Sequence, residues 1–205
     1  MPRLAKRIRH IPEYVLLRAL EGVCRALPRG AALRFGAAVG WFLRTVVRFR
    51  REVVRANMWH VGLWDEAEQQ RIERRFYANT GRYFADFLHS DTEPPHDFDN
   101  MAVMDRALSR GKGVIVICAH FGNWEALAAI FGPRLDRLNV VAMPMHNGMV
   151  QQWLAAKRAR TGALTIYQDQ ALRKIVRVLR DNRVVAILID QNARKQGTLV
   201  PFLGK

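Results

Sequence analysis

Gly111-Lys-Gly-Val-Ile-Val-Ile-Cys-Ala-His-Phe-Gly-Asn-Trp-Glu125 is the stretch on which the fold turns. Val114 to Ile117 is a β-branched apolar run behind a Gly-Lys-Gly turn, the pattern of a fully buried strand. The run stops at Ala119-His120-Phe121-Gly122-Asn123, and Trp124 to Ile130 returns to helix formers. The spacing therefore predicts a strand, a tight turn, and a helix with Asn123 as its N-cap. His120 and Glu125 flank that turn. On one continuous helix, residues five apart diverge by about 140° and do not meet; a bend between strand and helix brings them within reach. Gly122 tolerates the sharp backbone path.

Glu125 falls in the first turn of the expected helix, where free N–H groups and the helix dipole favour a carboxylate. Such a carboxylate can orient and charge-stabilise one imidazole nitrogen of His120, leaving the other to take a proton from a hydroxyl. Backbone donors near Gly122 and Asn123 suit an oxyanion or a phosphate. A histidine that only caps the strand end is the alternative reading.

Working outward, the apolar runs alternate with helical stretches. Strands are expected at 139–143, 163–167 and 183–189, and helices at 150–160 and 171–180, with a short helix at 99–110 leading into the first strand. Repeated strand–helix alternation predicts an α/β core, a mostly parallel central sheet flanked by helices. Chemistry in such sheets gathers at the carboxyl ends of strands, where His120, the loop 144–148 and Asp190 all fall. His146, in that loop, reads as a surface residue or else as a basic group standing in for one absent before Pro144.

Upstream, residues 2–29 place apolar residues at three- and four-residue steps among arginines and lysines, which predicts an amphipathic helix after Pro12, broken at Pro28-Arg29-Gly30. Residues 31–55 read as a second helix with an apolar stripe of Phe35, Val39, Phe42, Val46 and Phe49. The pair resembles basic segments that lie in a membrane interface, or else helices packed on the core with a solvated basic face. Residues 57–63 read as a turn-prone link, Asp65-Glu66-Ala67-Glu68 as the start of a third helix, and 90–99 as a linker. Residues 1–60 are thus expected to form an N-terminal membrane-associating helical segment, and 61–205 the α/β core.

The chain has 205 residues, half of them hydrophobic, with 33 Lys plus Arg against 18 Asp plus Glu, a formal net charge of +15. That excess points to a polyanionic partner: an anionic membrane face, an acidic protein, or nucleic acid. No zinc-finger or RNA-recognition signature supports nucleic acid, and none is expected as partner. Cys24 and Cys118 show no metal-ligand or disulfide spacing, which suits a reducing, cytosol-facing location. No cleavable signal pattern is present. The longest uncharged apolar stretch near the start, 35–43, is too short to span a bilayer unless its flanking arginines snorkel. Only two serines occur, Ser90 and Ser109, neither in a Gly-x-Ser-x-Gly elbow. A nucleophile, if the protein used one, would be Cys118, in a thioesterase or hydrolase; that residue equally suits core packing.

His-Phe-Gly-Asn-Trp-Glu at 120–125, behind its Gly-Lys-Gly-Val-Ile-Val strand, resembles the His-x4-(Asp/Glu) signature of the glycerolipid (lysophospholipid and glycerol-phosphate) acyltransferase superfamily. In this wording it is most similar to the bacterial lipid A biosynthesis acyltransferases of lauroyl/myristoyl type. Arg158-x-Arg160-x-Gly162, Asp190-Gln191 and Val200-Pro-Phe-Leu-Gly204 follow in the order that family shows.

The resemblance implies an acyl-ACP- or acyl-CoA-dependent O-acyltransferase at the cytoplasmic face of the bacterial inner membrane, peripheral or N-terminally anchored. It implies acyl carrier protein or acyl-CoA as donor, a lipid A precursor or related glycolipid as acceptor, and no metal or bound cofactor. A lysophospholipid or other glycolipid acceptor is the alternative. His120 and Glu125 would be base and orienting acid. An active-site arginine is implied, with Arg160 the preferred match; Arg158, Gly122, Asn123, Asp190 and Gln191 would contact substrate. Asp190 would fix the site arginine or the acceptor, or else cap the strand end. The family carries Arg or Lys before the loop proline where this chain has Met143 before Pro144, and it continues past the Val-Pro-Phe-Leu-Gly element, so a truncated C-terminus is expected.

Overall fold

The computed structural model describes residues 2–89, 101–135, 138–168, 171–191 and 200–201. The expected linker at 90–99 lies outside them. The described residues fold as two units.

The first is α/β, and the start of helix α1 (Pro2–Ala26) belongs to it as far as Ala19. It contains α5 (Ala102–Leu108), β1 (Val114–Cys118), α6 (Trp124–Phe131), β2 (Leu138–Ala142), α7 (Gly148–Arg160), β3 (Ala163–Tyr167), α8 (Ala171–Arg180) and β4 (Val184–Leu188). The four strands form one sheet in the order β1-β4-β2-β3, every pair parallel. The expected parallel α/β sheet is therefore present, with β3 and α8 at the expected bounds.

One face of the sheet carries the core. Val114, Val116 and Cys118 of β1 join Val184 and Ala186 of β4, Leu138 and Val140 of β2, and Ala163 of β3, packed under Ala128 and Phe131 of α6. The opposite side of β1 is open: Ile115 and Ile117 remain 51% and 66% exposed. The apolar run does not make β1 a fully buried strand: among the described residues it is the edge strand of the sheet, and successive residues alternate faces. The Gly-Lys-Gly turn is built from left-handed backbone at Gly111 and Gly113 (φ 67° and 72°). A Cβ on Gly113 would lie 2.6 Å from the Leu179 carbonyl oxygen, so both conformation and space require glycine. The Asn182 side chain ties the turn down, accepting from Gly113 N–H at 2.9 Å and donating to the Leu108 carbonyl at 3.2 Å.

The second unit is helical: the end of α1 from Leu20, then α2 (Arg29–Thr45), α3 (Arg51–Val61) and α4 (Glu66–His89). The single helix expected over 31–55 is broken after Thr45, because Arg48 and Arg50 take left-handed backbone, φ 55° and 50°. The Tyr77 hydroxyl donates to the Phe49 carbonyl freed there. The expected link at 57–63 is mostly helix, since α3 ends only at Gly62, a left-handed C-cap with φ 71°. α1 likewise runs through Pro12 rather than starting after it. Asp65 does open α4, its carboxylate accepting from Glu68 N–H at 2.8 Å.

α2 and α4 meet backbone to backbone. Cβ atoms built on Gly36, Gly40 and Gly81 would fall 2.3, 2.1 and 1.9 Å from carbonyl oxygens of the facing helix. The buried face of α2 is thus Ala32, Gly36 and Gly40, while Trp41 and Phe42 are exposed, as are Val46 and Phe49 just beyond it.

Candidate active site

The parallel register of β1 and β4 sets the site. Cys118 pairs with Leu188, and Ile189 N–H bonds to the Cys118 carbonyl at 3.1 Å. Two residues beyond each strand end come His120 and Asp190, brought side by side by that equal offset. His120 Nδ1 lies 2.7 Å from Asp190 Oδ1, and the His120 backbone N–H donates to Oδ2 at 2.8 Å. One carboxylate thereby fixes both ring and main chain. A carboxylate accepts, so Nδ1 carries the proton and Nε2 is left with a lone pair. The His120 side chain is 30% exposed, and its ring stands edge-to-face with Trp124, centroids 5.0 Å apart.

Burial pushes the Asp190 carboxyl upward, but the hydrogen bonds from the His120 ring and backbone outweigh it and hold the group below its ordinary range.

Glu125 has a different partner. It sits in the first turn of α6, where Asn123 caps the helix as expected, its Oδ1 accepting from Ala126 N–H at 3.1 Å. Its carboxylate receives Nε and Nη2 of Arg158 from α7, at 2.9 and 2.5 Å. Both side chains are largely buried, 14% and 13% exposed. The C-terminal ends of α6 and α7 come together through small residues: a Cβ on Gly132 would lie 2.0 Å from the Thr161 carbonyl oxygen.

One expectation is corrected by this geometry. The hydrogen-bonded acid on His120 is Asp190, not Glu125, because strand register delivers Asp190 whereas Arg158 occupies Glu125. The arginine paired with Glu125 is Arg158, while Arg160, the expected active-site arginine, is exposed in the last turn of α7. Asp190 accordingly holds the histidine rather than an arginine. Gly122 adopts φ 65° with open space around it, so its requirement is conformational. Gln191 is exposed beside Asp190. Cys118 lies on the core side of β1, and burial pushes its thiol up, which weakens it as a nucleophile.

The sequence profile of the bacterial lipid A biosynthesis acyltransferases matches residues 1–205. The chain belongs to that family. No individual curated protein matches it. As a lipid A biosynthesis acyltransferase, the chain has its fold and family settled together: a parallel α/β sheet with an N-terminal helix. Among the described residues no helix of this acyltransferase is long and apolar enough to cross a membrane.

Proposed function

We propose that the protein moves a fatty acyl group from the thioester of acyl carrier protein or coenzyme A to a hydroxyl of a lipid A precursor, with His120 as the base. The observation that carries this reading is the double clamp of Asp190 on His120, which leaves Nε2 free to accept a proton. In the step, Nε2 takes the hydroxyl proton as the oxygen attacks the thioester carbonyl, and the tetrahedral adduct collapses with release of the thiolate, which recovers the proton from the imidazolium. Asp190 stabilises the imidazolium meanwhile. Backbone donors in the first turn of α6 suit the oxyanion. The Glu125–Arg158 pair locks α6 to α7 and keeps that turn in place.

The net charge of +15 complements an acidic carrier protein, a phosphorylated glycolipid and an anionic inner-membrane surface alike. Exposed Trp41, Phe42, Val46 and Phe49 in the helical unit, and exposed Leu172 and Val176 on basic α8, support docking on the cytoplasmic leaflet without spanning it.

The decisive test is mass spectrometry of lipids made by cells expressing the protein or its variants. Transfer abolished in His120→Ala and strongly reduced in Asp190→Asn, with the fold intact, is expected. Asp190→Asn retaining full activity would reject the dyad, and acylated lysophospholipid in place of acylated lipid A would redirect the acceptor. Met143, standing before Pro144 where the family resemblance implies a basic residue, is the specific reason to look for that second outcome.

A further inference from the structure

A second histidine–carboxylate cluster lies in the α/β unit, where the loop after β2 meets α1. His10 and Glu13, one helical turn apart on α1, face His146 of that loop. Glu13 Oε2 is 3.1 Å from His146 Nε2 and 3.8 Å from His10 Nδ1, and one ligand atom from each of the three residues falls within 4.8 Å of the others. Donor atoms around a tetrahedral zinc ion at about 2.0–2.2 Å stand roughly 3.3–3.6 Å apart, so the two sides of the triangle at Glu13, 3.1 and 3.8 Å, bracket what one ion would need.

The second observation concerns His10. The residue is 9% exposed, and among the described residues neither ring nitrogen has a hydrogen-bond partner. A buried imidazole with both nitrogens unsatisfied is costly. The His146–Glu13 contact, read as an ordinary ion pair, does nothing for it. The surroundings are arranged as a supporting shell would be. Asn147, buried, donates from Nδ2 to Glu13 Oε2 and to the His10 carbonyl, both at 2.9 Å, while its Oδ1 caps α7. Glu13 thus sits between the two imidazoles, its Oε2 held by Asn147 Nδ2 at 2.9 Å and lying 3.1 Å from His146 Nε2. A carboxylate at the centre of the cluster opposes an anionic ligand and favours a cation.

We propose that His10, Glu13 and His146 bind a divalent transition metal of the zinc type. Two imidazoles and one carboxylate are a borderline donor set that suits zinc over magnesium or calcium. The site pins α1 to the β2–α7 loop. With the His146 side chain 70% exposed, a fourth coordination position faces water. The chemistry at His120 does not depend on it.

The test uses the untagged full chain, stripped with a chelator and titrated with Zn2+ by equilibrium dialysis, with Co2+ as a spectroscopic probe. Saturable uptake of one Zn2+ per chain is expected, with visible bands from Co2+ and a rise in Tm. Glu13→Gln and His146→Ala, both at exposed positions that leave the fold intact, are each expected to weaken binding tenfold or more and to erase the Tm rise, as is His10→Ala. No saturable uptake by the parent chain, or uptake unchanged in His146→Ala, would overturn the site.

Discussion

Two glutamates paired with arginine, one in each unit, show how differently the same contact can be used. Glu73 of α4 is 1% exposed and faces three guanidinium groups. Arg51 and Arg55 donate to it at 2.7 and 2.6 Å, while Arg44 Nε lies 2.8 Å away but out of line for a hydrogen bond, an ionic contact only. Glu125 meets one arginine, side by side, at a helix start. Burial pushes the Glu73 carboxyl up, and the arginine hydrogen bonds and charges more than reverse it, leaving the group below its ordinary range. The first arrangement knots α2, α3 and α4 around a single anion; the second balances one charge with one and holds two helices near the proposed base. Loss of the first acid should therefore unfold, and loss of the second should slow.

The sharpest break would come at Glu73. Glu73→Ala leaves three arginines around a vacated acid, and removing one partner of a buried pair costs about 3–5 kcal/mol, a loss that urea unfolding followed by circular dichroism would register. Turnover per folded molecule should hardly change. His120→Ala gives the opposite signature: a loss of about 10²–10⁴-fold in transfer rate with an unchanged unfolding midpoint. Glu125→Gln keeps shape and one hydrogen bond while dropping the charge, so an intermediate loss of rate is expected, smaller than that of Asp190→Asn. A Glu125→Gln enzyme slower than Asp190→Asn would make Glu125 the more important acid and undo the contrast.

Smaller still is Gly122→Ala, which forces a side chain into left-handed backbone at a cost of about 1–2 kcal/mol without any steric clash. Its effect should appear first in rate, because the turn carries His120 to its place. The last test is pH. Asp190 and Glu73 are both held below their ordinary values, so each contributes stability that is complete above the unfolded-state value, near 3.8 for Asp190 and 4.5 for Glu73, and that disappears as pH falls through the lower folded value. Unfolding free energies between pH 6 and 3 should fall, and fall less in Glu73→Gln.

Much of the architecture was legible because strands and helices leave local signatures. The run at 163–167 and the period at 171–180 fixed β3 and α8 without any tertiary information, and Asn123 announced its own helix. The break at residues 46–50 was hidden, since it depends on two arginines adopting left-handed backbone, which no local preference of arginine favours. The buried face of α2 was hidden for a related reason: its apolar stripe is the strong local signal, yet close helix contact is made by Gly36 and Gly40. At the site, His120 and Glu125 were visible together because they are neighbours in sequence. The acid that touches His120 needed the knowledge that β4 lies beside β1, an adjacency that pairing register alone reveals. The His10–Glu13–His146 cluster left only a faint trace, an i,i+3 pair and a loop histidine 133 residues beyond Glu13.

The dyad at the rim of the sheet joins positions seventy apart in the chain. Among the described residues β4 is the last strand in the chain, and it lies between β1 and β2. Until β4 pairs with β1, the imidazole has no carboxylate to fix its tautomer, and on the proposed mechanism a half-assembled sheet lacks its base. Competence thus arrives in one stroke, with the closing of the sheet as its own safety catch.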